Sequence, residues 1–72
     1  MHVNITVNGE KISLDLSLNE EISLSEFLQR HNYDAKRVAV EKNGDIVPRK
    51  DFESELLSDG DKIEIVHFVG GG

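Results

Sequence analysis

Residues 2–16 read His2-Val3-Asn4-Ile5-Thr6-Val7-Asn8-Gly9-Glu10-Lys11-Ile12-Ser13-Leu14-Asp15-Leu16. Val3, Ile5 and Val7 alternate with His2, Asn4 and Thr6, the period of a half-buried strand. Asn8-Gly9 tolerates the positive φ that a type I′ turn requires at both positions, so a two-residue hairpin loop follows. A second alternation, Ile12, Leu14, Leu16 and Leu18, then returns. The loop sets Val7 opposite Glu10, hence Ile5 opposite Ile12 and Val3 opposite Leu14. Turn chemistry and apolar pattern select the same register, which a one-residue slip would invert.

Beyond this hairpin, Ser23 and Glu26 have the spacing of a capping box, and Ile22 with Phe27 that of a hydrophobic staple. Leu24, Phe27, Leu28 and His31 fall at i, i+3, i+4 and i+7, one stripe of an amphipathic helix predicted over 24–31. His31 sits in its last turn, where a cationic imidazole meets the negative end of the dipole. Asn32 suits the left-handed position that ends a helix. Val38-Ala39-Val40, the turn pair Asn43-Gly44 and Ile46-Val47 make a second hairpin, whose ladder Pro48 ends because it has no N–H. Residues 49–58 are expected to be irregular or a helical turn, pinned to the core by Phe52, Leu56 and Leu57. Asp59-Gly60-Asp61 is a tight turn, and a last strand is predicted over 62–68. Strands that bracket one helix without strict βαβ alternation indicate an α+β domain, a mixed sheet of four to five strands curled over that helix. The domain spans 1–69, and 70–72 form a flexible glycine tail.

The chain has 72 residues, with 8 positive and 14 negative side chains, a net charge of −6 and 38% apolar residues. That length supports one small core and not two. Having no cysteine excludes disulfides, thiolate-bound zinc, iron–sulfur clusters and a side-chain thiol nucleophile. The acidic balance argues against nucleic acid and anionic membranes as partners. With no basic-then-apolar leader and no apolar run of spanning length, a cytoplasmic protein is expected. Chains this short rarely enclose a catalytic pocket. The reading is therefore of a component acted on by larger partners, not an enzyme.

The ending Ile65-Val66-His67-Phe68-Val69-Gly70-Gly71-Gly72 carries the chemistry. Three glycines after a buried strand are either a frayed terminus or a stalk that presents the α-carboxylate of Gly72. Without a Cβ, Gly70 and Gly71 can thread a narrow channel in a partner's active site. The carboxylate is an anion at neutral pH and resists nucleophiles until it is converted to a mixed anhydride. Adenylation with ATP on another enzyme is the usual route, after which a sulfur or amine nucleophile takes the acyl group. If Ile63 and Ile65 face the helix, Val66 and Phe68 face solvent beside the tail and, with Val69, form a docking patch. A late twist would instead return Phe68 to the core.

Other constellations are weaker. His2, His31 and His67 have no short metal-ligand spacing, although His67 is placed to orient the tail. Glu20-Glu21, Glu53 with Glu55, and Asp59 with Asp61 read as solvated or turn-capping carboxylates. The terminal glycines are not a phosphate loop, since neither helix nor lysine follows. Arg49 reads as an ordinary surface arginine.

Asn43-Gly44-Asp45-Ile46-Val47-Pro48-Arg49, then Asp59-Gly60-Asp61, then Ile63 through Gly72 resemble the ThiS family of thiamin-biosynthesis sulfur carriers, which are ubiquitin-like β-grasp proteins. The similarity spans the chain in length and element order. Its Val-Pro-Arg segment and His-Phe-Val-Gly-Gly-Gly ending are more specific than a bare Gly-Gly. The resemblance implies that a ubiquitin-activating-type (ThiF-like) adenylyltransferase uses ATP to activate Gly72. No cofactor would be bound by this chain itself. Sulfur from a donor such as a cysteine desulfurase would give a thiocarboxylate, which thiazole synthase (ThiG-like) consumes. The family's terminal Gly-Gly falls on Gly71 and Gly72, and Gly70 lengthens the tail by one residue. Two rival readings share the fold: a small subunit of molybdopterin synthase (MoaD-like), and a ubiquitin-like protein modifier joined through Gly72.

Overall fold

A computed structural model of the chain describes residues 1–68. Strand β1 (His2–Val7) and β2 (Glu10–Asp15) form the first hairpin, with Val3 opposite Leu14, Ile5 opposite Ile12 and Val7 opposite Glu10. Asn8 and Gly9 take φ of 50° and 83°, the left-handed pair that the I′ turn demands. The second alternation stops sooner than its pattern suggests. Leu16 N–H donates to the Met1 carbonyl and the Met1 amine donates to the Leu16 carbonyl. Past that point β1 offers no further partner, and the chain turns at Asn19, φ 67°. Leu16 is buried, whereas Leu18, expected on the core face, is 82% exposed.

Helix α1 (Leu24–Arg30) starts where Ser23 Oγ accepts from Glu26 N–H at 3.1 Å. Of the capping box only this half and a long Ser23–Glu26 side-chain contact of 3.5 Å form. Ile22, Leu24, Phe27 and Leu28 are fully buried. Asn32 takes φ 64° and closes the helix. His31 departs from the apolar stripe: it caps the helix from the surface, its ring 4.4 Å from that of Phe27.

Strands β3 (Val38–Lys42) and β4 (Asp45–Val47) form the second hairpin, and a 3-10 turn (Arg49–Asp51) follows Pro48. Phe52 and Leu57 are buried as expected, but Leu56 is 40% exposed. A short antiparallel bridge joins Leu56 to Ser23, and Leu57 N–H donates to the Ile22 carbonyl. Successive residues of an extended segment point to opposite sides, so only one of the two leucines reaches the core.

Strand β5 (Lys62–His67) completes a mixed sheet of order β2-β1-β5-β3-β4. Only β1 and β5 run parallel; the other neighbours are antiparallel. One face buries Val3, Ile5, Val7, Leu14, Val38, Val40, Ile63 and Ile65 against α1. This is the ubiquitin-like β-grasp. Among the described residues no helix is long and apolar enough to cross a membrane.

Ionic groups secure the start of β5. Lys42 Nζ donates to the Glu55 carboxylate at 2.6 Å and to the Leu56 carbonyl at 2.9 Å, and lies 3.7 Å from Asp61. Its ammonium is held above the usual lysine range, chiefly by the Glu55 hydrogen bond. Asp61, expected in a solvated turn, is buried. It accepts from Ser58 N–H at 2.7 Å and Asn43 Nδ2 at 2.9 Å.

Candidate functional site

Strand β5 ends at His67, and one side chain and one main-chain carbonyl hold its final stretch. β1 turns away after Val7, which lies beside Ile63, so the second half of β5 has no strand on that flank. The Asn8 side-chain amide replaces one. Its Nδ2 donates to the Ile65 carbonyl at 3.1 Å and its Oδ1 accepts from Ile65 N–H at 2.7 Å. On the other flank β5 pairs with β3, Ala39 opposite Val66 and Val38 opposite His67. The last rung among the described residues is Phe68 N–H donating to the Arg37 carbonyl at 2.9 Å.

Strand alternation then settles where the site side chains point. Ile63 and Ile65 enter the core, while Val66 and Phe68 are 60% and 58% exposed. No twist carries Phe68 inward. On the same outer face Ile46 lies opposite Glu41, and Glu41 opposite Glu64. Ile46 is 76% exposed. The sheet's outer face therefore carries Ile46, Ala39, Val66 and Phe68, with Glu41 and Glu64 beside them. Ile46 was legible from the Asn43-Gly44 turn, since Val47 facing the core forces its neighbour outward.

His67 is exposed, and its ring stacks on Tyr33 with centroids 5.5 Å apart. Arg49 lies on the surface as expected, but its guanidinium is engaged. Its Nε donates to the Ala35 carbonyl at 3.0 Å and its Nη2 lies 3.4 Å from the carbonyls of Lys36 and Val38. Its Cζ is 6.0 Å from the Phe68 ring centroid, the outer limit of a cation–π contact. The Val38 carbonyl needs the guanidinium donor because the backbone has turned into the 3-10 segment at the position that would face it.

The expectations for Val69, Gly70, Gly71 and Gly72 lie outside the described residues. His2, His31 and His67 stand on separate elements. Among the described residues no group of three or more His, Asp and Glu side chains is placed to hold a metal ion.

The sulfur carrier protein ThiS of Bacillus subtilis (strain 168) is 40% identical over 50 residues, which is 69% of this chain and 76% of that protein. A thiazole synthase of Paramagnetospirillum magneticum is 39% identical over 70 residues, 97% of this chain. This chain spans only 20% of that relative's length. The crystal structure of a thiamine biosynthesis protein (ThiS) from Geobacter metallireducens superposes with a TM-score of 0.81 at 35% identity, covering 97% of this chain and 100% of the other. The sequence profile of the ThiS family matches residues 5–72, and this chain belongs to that family.

Proposed function

We propose that this protein is a sulfur carrier of thiamin biosynthesis, a co-substrate that partner enzymes act on in the cytoplasm. A ThiF-like adenylyltransferase joins the Gly72 carboxylate to the AMP moiety of ATP and releases pyrophosphate. The outer sulfur of a persulfide on a donor such as a cysteine desulfurase then displaces AMP to give an acyl disulfide. Two thiols, oxidised to a disulfide, supply the two electrons that cleave its S–S bond, leaving the thiocarboxylate and the donor's free thiol. Thiazole synthase consumes that sulfur. Gly70 and Gly71 supply a main chain slim enough to thread the partners' channels. Val66 and Phe68, with Val69 beyond them, dock the domain.

The observation that carries this reading is the pairing of a family match through residue 72 with exposed Val66 and Phe68 at the end of β5. An acceptor that makes thiazole is favoured by the Paramagnetospirillum magneticum relative. A segment 39% identical to this chain is there part of a protein called thiazole synthase. Covalent linkage raises the effective concentration of two components that must meet, to about the millimolar range for short linkers.

The test is genetic. In cells that lack their own carrier and require thiamin, the full chain restores growth and a variant without Gly71 and Gly72 does not. Growth of the truncated strain without thiamin contradicts the proposal. High-molecular-weight adducts through Gly72 without thiamin rescue favour the protein-modifier reading.

A further inference from the structure

Strand β4 ends at Val47, yet its register with β3 continues in an unexpected form. Val40 faces Val47, so the position facing Val38 belongs to residue 49. The backbone has by then turned into the 3-10 segment. The Arg49 side chain reaches back instead, with Nη2 at 3.4 Å from the Val38 carbonyl. The same guanidinium holds the carbonyls of Ala35 and Lys36. Within residues 35–38 the one remaining carbonyl, that of Arg37, accepts Phe68 N–H at 2.9 Å. Arg49 thus grips both sides of the residue from which the end of β5 hangs, and it also lies over the Phe68 ring. A planar fork of five N–H donors can span three carbonyls; a lysine ammonium on its flexible stem cannot do so in one fixed geometry.

We propose that Arg49 is a positioning residue for the C-terminal tail: by holding residues 35–38 and Phe68 together, it sets the direction in which the reacting terminus leaves the domain. The inference rests on the sulfur-carrier reading and deepens it. A partner that docks on Ile46 and Val66 must receive the terminus in reactive geometry at the same time. A root already ordered in the free protein removes that cost from the reactive complex. Misplacement by about 1 Å at a reacting centre can cost about 100-fold in rate.

The experiment compares wild type, Arg49→Ala and Arg49→Lys as substrates of the activating enzyme with ATP, well below their melting temperatures. Hydrogen exchange of the free proteins is read in parallel. Both variants are expected to lose protection at the Phe68 amide while Ile65 stays protected. Their kcat should fall about 10- to 100-fold, and any rise in KM should stay below that of Phe68→Ala, which removes the docking ring itself, because the lost interaction acts chiefly on the reactive complex. A raised KM at constant kcat identifies Arg49 as a direct partner contact and overturns the proposal. Full activity in Arg49→Lys does the same, since charge alone would then suffice. Lost Phe68 protection with unchanged kinetics shows a purely structural role and overturns it while the carrier reading stands. If wild type itself is not adenylated by an enzyme shown active on its own carrier, both fail together.

Discussion

Asn8 performs two tasks with one side chain. It accepts the positive φ of the hairpin turn, and its amide satisfies both the N–H and the carbonyl of Ile65. Asn8→Gly keeps the first role and removes the second. It should destabilise the domain by about 1–3 kcal/mol through unsatisfied, partly buried main-chain groups, read as a lower urea midpoint at unchanged slope. A change below about 0.5 kcal/mol would show that water replaces the amide at no cost. Phe68 should behave in the opposite way. Because its ring is more than half exposed, Phe68→Ala should move stability by under about 0.5 kcal/mol while weakening binding to the activating enzyme. A large drop in melting temperature would place the ring in the core and remove the docking role. The turn chemistry of Asn8 is visible from Asn-Gly alone. Its bonds to Ile65 are not, because residues 8 and 65 become neighbours only once β1 and β5 pair.

At the scale of elements, both hairpins were readable because a two-residue loop leaves no freedom of register. The Asn43-Gly44 loop sets Lys42 opposite Asp45 just as Asn8-Gly9 sets Val7 opposite Glu10. Helix α1 was readable from its Ser23 cap and its buried stripe. Pattern alone failed where an element ended for lack of a neighbour. Leu18 continues an apolar alternation past the end of β1, and Leu56 sits beside a leucine that takes the inward position. The Lys42–Glu55–Asp61 cluster joins the end of β3 to two loop residues further along the chain and left no local signal. It has a measurable consequence. The Lys42 pKa is raised in the fold above its ordinary 10.5, so its contribution is complete below that value and is lost as pH rises through the folded value. Lys42→Met should flatten the alkaline fall in stability measured by denaturant titration above about pH 10. An unchanged alkaline limb would show that other groups govern it. Glu20 has the reverse sign. Its carboxylate is lowered chiefly by the Ser17 N–H, so its support is present above the usual range and lost as pH falls.

For the whole molecule, the core and the chemistry occupy different places. The helix and the inner sheet face share the apolar core, while the outer face and the end of β5 leave Ile46, Val66 and Phe68 exposed. The Lys42 cluster holds Asp61 just before β5 and Asn43 accepts the Lys62 N–H, while Asn8 binds Ile65 and the Arg37 carbonyl accepts the Phe68 N–H at the other end. A net charge of −6 favours partners with basic rims around an apolar landing site, and steers them together at rates that fall with salt. The family ending was legible in the sequence because it lies in one contiguous run. The Arg49 clamp was not, because its carbonyl partners precede it by up to 14 residues and the contact depends on where β4 stops.

All of this treats the folded domain as a handle for one carbonyl carbon at the end of the chain. The most direct test is the intact mass of the protein after incubation with ATP, an activating enzyme proven active on its own carrier, and a sulfur donor. The account predicts a gain equal to the exchange of one oxygen for one sulfur, absent from a chain that lacks Gly72. An unchanged mass in the full chain, or the same gain in the chain without Gly72, would contradict it.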